Sequence, residues 1–356
     1  MPTLTRTLPA LVAIALLGCK TVAPRPDVVW PDPPEVPRIR FVQSFAHTDD
    51  LDSSAFTAFK RTVLGASPDV SLRQPMGLAL SADGQRLYIA DHALSAVLIA
   101  DLEGKTLKKF APDEPLGKPM GVALDKDENV YVSDTTAKLV RVFDKQGTRI
   151  RQIGTDQLER PTGLAVDDAR KRIYVTDSSR QHSMNHRVRI FDLGGKWLSD
   201  LGAKEGLPTK GSGEGQWHFP TYVTLDVDGN VFVSDSMNFR IQVFKPDGAF
   251  VRSFGENGDG PGFFSRLKGL AFDGFGNLYA VDGGHSNVQI FNKNFDVLMF
   301  FGGYSAKLEY FDVPSGIVID KRNNRVYVCN EFVSRINVYE LINTKPEDSI
   351  KPLPTP

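Results

Sequence analysis

One phrase recurs along this chain of 356 residues. Its fullest form is SDSMNFRIQVFKPDG, Ser234 to Gly248. Diluted forms read SDTTAKLVRVFDKQG, TDSSRQHSMNHRVRIFDLGG and VDGGHSNVQIFNKNF. A repeat at a spacing of some tens of residues constrains a fold strongly, because each copy is a small unit that buries its apolar surface only against its neighbours.

Aligning on the element ahead of each phrase gives six copies: Pro75-Met76-Gly77, Pro119-Met120-Gly121, Pro161-Thr162-Gly163, Pro220-Thr221-Tyr222, Leu267-Lys268-Gly269 and Pro314-Ser315-Gly316. Three apolar runs accompany each element, as in GLAVD, IYVTD and RVRIFD, and several copies add a fourth, such as AFVRSFG. Val, Ile, Tyr and Phe fill the runs, and turn residues such as Asp-Gly-Asn separate them, which is the pattern of strands and hairpins. The 31 glycines and 23 prolines suit many tight turns. One four-stranded sheet leaves its faces bare, whereas six arranged radially cover one another. The expected fold is therefore all-β: a six-bladed β-propeller with four-stranded antiparallel blades. The last copy lacks a fourth strand, and RIRFVQSFA near the N-terminus looks like one. Residues 39–45 are expected to complete the sixth blade as its outer strand, leaving no open edge.

The copies resemble NHL repeats, in which Pro-x-Gly leads a run ending in Asp, then a second such run, then Asn-x-Arg followed by Val- and Phe-rich sequence. Residues 75–340 follow that pattern, with the central phrase best matched in the fourth copy. The opening WPDPPEVPRIRFV is similar to the lead-in of bacterial NHL lipoproteins. The resemblance implies the propeller but no single activity, since that family holds lyases, RNA binders and protein binders.

The first residues, MPTLTRTLPALVAIALLGCK, carry Arg6 and then an apolar run from Leu8 to Leu17. The run is too short to span a bilayer and reads as an export signal. It ends in Leu16-Leu17-Gly18-Cys19, which resembles the lipobox of bacterial lipoproteins. That resemblance implies that Cys19 becomes the first mature residue and carries acyl chains; an ordinary signal with a chance cysteine is the alternative. Lys20 stands where an Asp would argue for inner-membrane retention. The expected layout is a signal peptide over 1–18, the lipidated Cys19 and a proline-rich spacer to 37, a propeller over 38–341 and a polar tail over 342–356. The expected location is the bacterial cell envelope, lipid-anchored, at the outer membrane and facing the periplasm or the cell surface. The membrane is one partner, through the anchor.

An Asp closes most second runs: Asp91, Asp134, Asp177, Asp235 and Asp282, with Asn330 in the last copy. A residue that every blade carries serves every blade, so these are expected to accept backbone N–H bonds and fix the next turn. Cys19 and Cys329 are the only cysteines, which gives neither a disulfide framework nor a ligand pair at metal spacing. Cys329 is expected to be a small buried residue. A net charge of -1 offers no electrostatic case for nucleic acid. GSGEG, Gly211 to Gly215, does not lie between a strand and a helix, so the dinucleotide reading fails.

NHL lyases that cleave peptidyl hydroxyglycines hold zinc in the central channel with histidines just after the Pro of Pro-x-Gly. The resemblance makes Met76, Met120, Thr162, Thr221, Lys268 and Ser315 the channel-facing candidates here, and none is His. A calcium-dependent lactonase needs several converging carboxylate or amide oxygens, and the sequence does not place such a set. No cofactor and no metal is therefore expected. Lys268 reads either as a charge at the channel mouth or as a solvated lysine.

Difference between copies is the better guide to function. From the closing Asp to the Phe of the third run, the second, fourth and fifth copies count nine residues, and the third counts fourteen, Asp177 to Phe191. The extra residues fall within SSRQHSMNHR, and the link that follows, Gly202 to Phe219, is also long. In an up-and-down blade both loops emerge on one face, so they are expected to be neighbours. Arg180, His182, His186, Arg187, Lys204, Lys210, Trp217 and His218 lie in them. They read as a cationic partner site with an aromatic platform, or as elaborated links in which Trp217 packs between blades. His182 and His186 would share a metal only on a helix or a suitable turn. The expected role is non-enzymatic binding or scaffolding of an envelope protein, peptide or glycan. The alternative is a metal-dependent lyase or hydrolase with its site in the channel.

Overall fold

The computed structural model describes residues 27–52, 70–180 and 182–344. The expected signal and Cys19 lie outside them, as do residues 345–356 of the expected tail. Among the described residues no helix is long and apolar enough to cross a membrane.

Six antiparallel sheets form the molecule. The first five blades each run from an inner to an outer strand in chain order, for example 75–80, 86–91, 96–101 and 106–110 in the first. The sixth takes its inner three strands from 314–320, 325–330 and 335–341 and its fourth from 39–45. Ile39 pairs with Leu341 and Phe45 with Ile336, so the start of the described chain closes the ring as expected. The proline-rich segment expected to be a spacer does more than space. Val29 and Trp30 pair with Arg40 and Ile39 as a fifth strand on this blade, and the Trp30 ring packs against Phe301, Tyr310 and Tyr339.

The apolar core is six clusters, one between each pair of neighbouring blades. Tyr174, Val188 and Ile190 of blade three meet Val231, Val233 and Phe244 of blade four, for instance. This follows from strands that are buried on both faces, and so read as continuous apolar runs.

The Pro-x-Gly motif has a steric cause. A Cβ on Gly77 would lie 2.5 Å from the Met120 carbonyl oxygen of the next blade, and one on Gly316 would lie 2.3 Å from that of Met76. At these positions the inner strands approach so closely that only glycine fits. The closing carboxylates act as expected. Asp91 accepts the amides of Arg73 and Gln74, Asp134 those of Gly117 and Lys118, and Asp282 those of Ser265 and Arg266. Asn330 substitutes its amide oxygen toward the Asp312 amide. Cys329 is fully buried, and burial pushes its thiol pKa far above the usual range.

Candidate functional site

Strand direction divides the molecule into two faces. Second-to-third loops and inter-blade links emerge on one, the link face; the tight first-to-second and third-to-fourth turns emerge on the other, the turn face.

At the channel mouth on the link face, hydroxyls zip blades two to five together. Thr135 Oγ1 donates to the Pro161 carbonyl at 2.7 Å, Ser178 Oγ to Pro220 at 2.6 Å and Ser236 Oγ to Leu267 at 2.6 Å. The same position, just after the closing Asp or Asn, holds His92, Gly283 and Glu331 in blades one, five and six. Without a side chain, Gly283 leaves room for Lys268, whose methylenes lie 3.2 Å from where its Cβ would stand. Lys268 Nζ reaches Glu331 at 2.6 Å with both side chains mostly buried, and Gln74 supports the other Glu331 oxygen at 2.9 Å. Lys268 is thus a paired residue of the mouth rather than a solvated one. His92 Nδ1 lies 3.1 Å from Met120 Sδ, and burial, then Lys118, lower its pKa.

The other channel candidates are inward but engaged. Met76 is buried, Thr162 bonds Thr176 and Ser178, Thr221 bonds Ser236, and Ser315 donates to the Pro75 carbonyl. Among the described residues no three of His, Cys, Asp and Glu stand close enough to share a metal. The described donor set therefore does not fit a histidine-held zinc. Deeper in, Tyr222 occupies the place that glycine holds in the other blades and donates its hydroxyl to the Met76 carbonyl at 2.9 Å. Beyond it a cavity of about 290 Å³ opens toward the turn face, lined by Leu78, Val122, Leu164, Val223, Leu270 and Ile317.

The two insertions of blade three and its link do meet. Thr209 Oγ1 donates to the Met184 carbonyl at 3.0 Å. His186 Nδ1 accepts the Phe219 amide at 3.3 Å, and the His186 and His218 rings are 5.8 Å apart. Glu159, which sequence reading passed over, holds the first insertion by accepting from Ser179, Ser183 and Asn185. Burial raises its pKa, but these donors outweigh burial and lower it.

The candidate residues divide. Arg180, His182 and Lys204 are exposed, and Lys204 pairs loosely with Glu214 at 3.3 Å. Lys210 and His218 are half-buried. Arg187 and Trp217 belong to the frame instead of the partner-facing surface. Arg187 clamps the closing Asp177 at 3.2 Å and the Gln157 carbonyl at 2.9 Å, as Arg240 clamps Asp235 in the next blade. Trp217 is 0% exposed and lies 5.5 Å from Phe244 in the core between blades three and four. His186 is equally buried while His182 is exposed, so the two form no metal pair. What the loops do present is apolar. Met184, Leu207, Met237, Tyr304, Leu308 and Phe332 are all exposed on the link face, whereas the described turns of the opposite face expose two large hydrophobic residues, Val36 and Val227.

A family model described as SMP-30/Gluconolactonase/LRE-like region matches residues 68–179, and one described as 6-bladed beta-propeller matches residues 221–297. Peptidylglycine alpha-amidating monooxygenase of Rattus norvegicus is 28% identical over 250 residues, 65% of this chain and 24% of that protein. NHL repeat-containing protein 3 of Mus musculus is 26% identical over 175 residues, 46% of this chain and 49% of that protein. The chain thus spans a quarter to a half of the length of these relatives. Streptogramin B lyase superposes with a TM-score of 0.57 at 14% identity, covering 77% of this chain and 95% of that one, which is a likeness of fold. Strand order and the blade-to-blade glycines make the chain a six-bladed β-propeller, similar over parts of its length to SMP-30/gluconolactonase-like and NHL-repeat proteins.

Proposed function

We propose that this propeller is a non-enzymatic binding module of the cell envelope that engages a protein or peptide through its link face. The observation that carries the reading is the uneven distribution of exposed apolar side chains: six on the loops of the link face against two on the turns of the other. Contiguous exposed apolar surface rimmed by polar groups marks interaction sites, and Met adapts well to a partner's shape. The two loops that carry Met184 and Leu207 also carry Arg180, Lys204 and Lys210, which favour an acidic or carboxylate-bearing segment. The envelope location rests on the export-signal sequence and Cys19. Enzymes occur among the relatives, but the channel's described side chains supply no metal-binding set, so binding is preferred. Panning a displayed random-peptide library on the pure protein tests this. Recovered peptides are expected to lose capture when Met184, Leu207 and Phe332 are changed together to Ser, and to keep it when Val227 is. Peptides indifferent to the triple change would sink the proposal.

A further inference from the structure

A second, independent site lies on the turn face between blades four and five, where three departures from the repeat coincide. In blade two, Asp125 Oδ2 accepts Asn129 Nδ2 at 2.8 Å and the Tyr131 hydroxyl at 3.0 Å. Blade five repeats this, with Asn277 and the Tyr279 hydroxyl on Asp273. In blade four Asp226 Oδ2 accepts Asn230 Nδ2 at 2.7 Å, and among the described hydrogen bonds it has no hydroxyl partner. The cause is Phe232, which stands where the other five blades carry Tyr88, Tyr131, Tyr174, Tyr279 and Tyr327.

The second departure is Phe295. Its turn position is Gly147, Gly195 and Gly248 in blades two to four, all with φ above 90°, and Phe295 adopts φ 69° there. That left-handed conformation strains a bulky residue. The ring stacks on Phe254 at 4.7 Å and lies 5.7 Å from Phe232. The third is Val227, 86% exposed, where other blades have Ala82, Lys126, Asp168, Gly274 and Lys321.

All three border one cavity of about 420 Å³, whose wall also holds Phe272, Val251 and Asp226. Its volume is in the range of small-molecule pockets, which are apolar with a few placed polar groups. We infer that this cavity binds a small aromatic alcohol. The rings lie among Phe232, Phe272 and Phe295, and the hydroxyl donates to Asp226 Oδ2, taking the place of the tyrosine hydroxyl that blades two and five supply. Asp226, Asp228 and Asp273 outnumber Lys245 and Lys293 in the wall by one charge, which disfavours an anionic ligand.

The probe is 2-naphthol, titrated calorimetrically into the full chain. Saturable one-to-one binding is expected. Naphthalene, with the same rings and no donor, should bind about tenfold more weakly, the loss that one buried hydrogen bond represents. Phe232→Tyr supplies the missing hydroxyl from within and should weaken 2-naphthol binding about tenfold or more, to the level of naphthalene or below. It should fold normally, since tyrosine stands there in five blades, and an unchanged melting temperature checks this. Val251→Trp, which fills the cavity from its exposed strand, should abolish binding. Naphthalene matching 2-naphthol, full binding by Phe232→Tyr, or no saturable binding to the unaltered protein would each overturn the inference.

Discussion

The Tyr222 hydroxyl donates to the Met76 carbonyl at 2.9 Å, joining the inner strand of blade four to that of blade one across the channel. The two blades stand opposite each other in a ring of six, so this bond braces the propeller along a diameter. Tyr222→Phe keeps the ring and deletes only the donor, leaving a carbonyl without its partner. The expected cost is about 1–3 kcal/mol. For a chain this size that is a fall of roughly 2–4 °C in melting temperature per kcal/mol. Calorimetry of the two proteins decides it; equal midpoints would show that the brace contributes nothing.

Closure predicts a second outcome. Removing residues up to 46 exposes the edge of strand 335–341, which in the intact protein pairs with residues 39–45. Bare edges recruit strands from other chains, so the truncated protein should elute as dimers and aggregates, with light scattering as the measurement. Trp30→Ala is the milder test. It removes a half-buried ring lying 5.8 Å from Tyr310 and Tyr339 and should cost about 2 kcal/mol without aggregation.

Blade number, strand content and ring closure were legible because a period repeats the same evidence six times, and because RIRFVQSFA carries the alternation of an outer strand. The site was less legible. Trp217 read either as a partner-facing anchor or as packing between blades, and the second holds: it stands three residues before Pro220, as Phe264 does before Leu267 and Phe311 before Pro314. All three are 0% exposed and make the same isolated bridge within their links. That spacing was present in the sequence and marks a packing position. Arg187 was misread for a like reason, since its equivalence to Arg240 ahead of the third run signals a clamp on the closing Asp. Glu159 could not be found this way, because it acts through loop geometry that has no repeat. The Tyr222 exception to Pro-x-Gly was visible, but its meaning depends on a blade 146 residues away.

Two tryptophans of blade three and its link should therefore behave oppositely. Trp217→Ala deletes a fully buried ring and should cost about 3–5 kcal/mol. Trp197, 44% exposed on the outer strand, should tolerate Ala within about 1 kcal/mol. Urea unfolding monitored by far-ultraviolet dichroism separates the two. A small effect at Trp217 would mean that it does not hold blades three and four together.

His186 makes the junction of the two link-face insertions sensitive to acid. Its Nδ1 accepts the Phe219 amide, so the neutral ring carries its proton on Nε2, which is buried. Protonating Nδ1 would set N–H against N–H. Burial, then the Lys210 and His218 charges, push the pKa down to about 4, against the pull of Glu159 and of a bond to the Ser178 backbone. The folded value lies below the unfolded one of about 6.5. The unfolded chain therefore binds a proton first, and stability falls as pH drops from about 6.5 toward 4, then levels off once the folded form is protonated as well. His186→Asn keeps an acceptor for the Phe219 amide and cannot be charged. Its stability should be close to the parent's at pH 7.5 and should decline less between pH 6.5 and 4, as read from melting temperatures across that range. Parallel curves would mean that His186 does not titrate between the two states, and that the two insertions stay joined in acid for another reason.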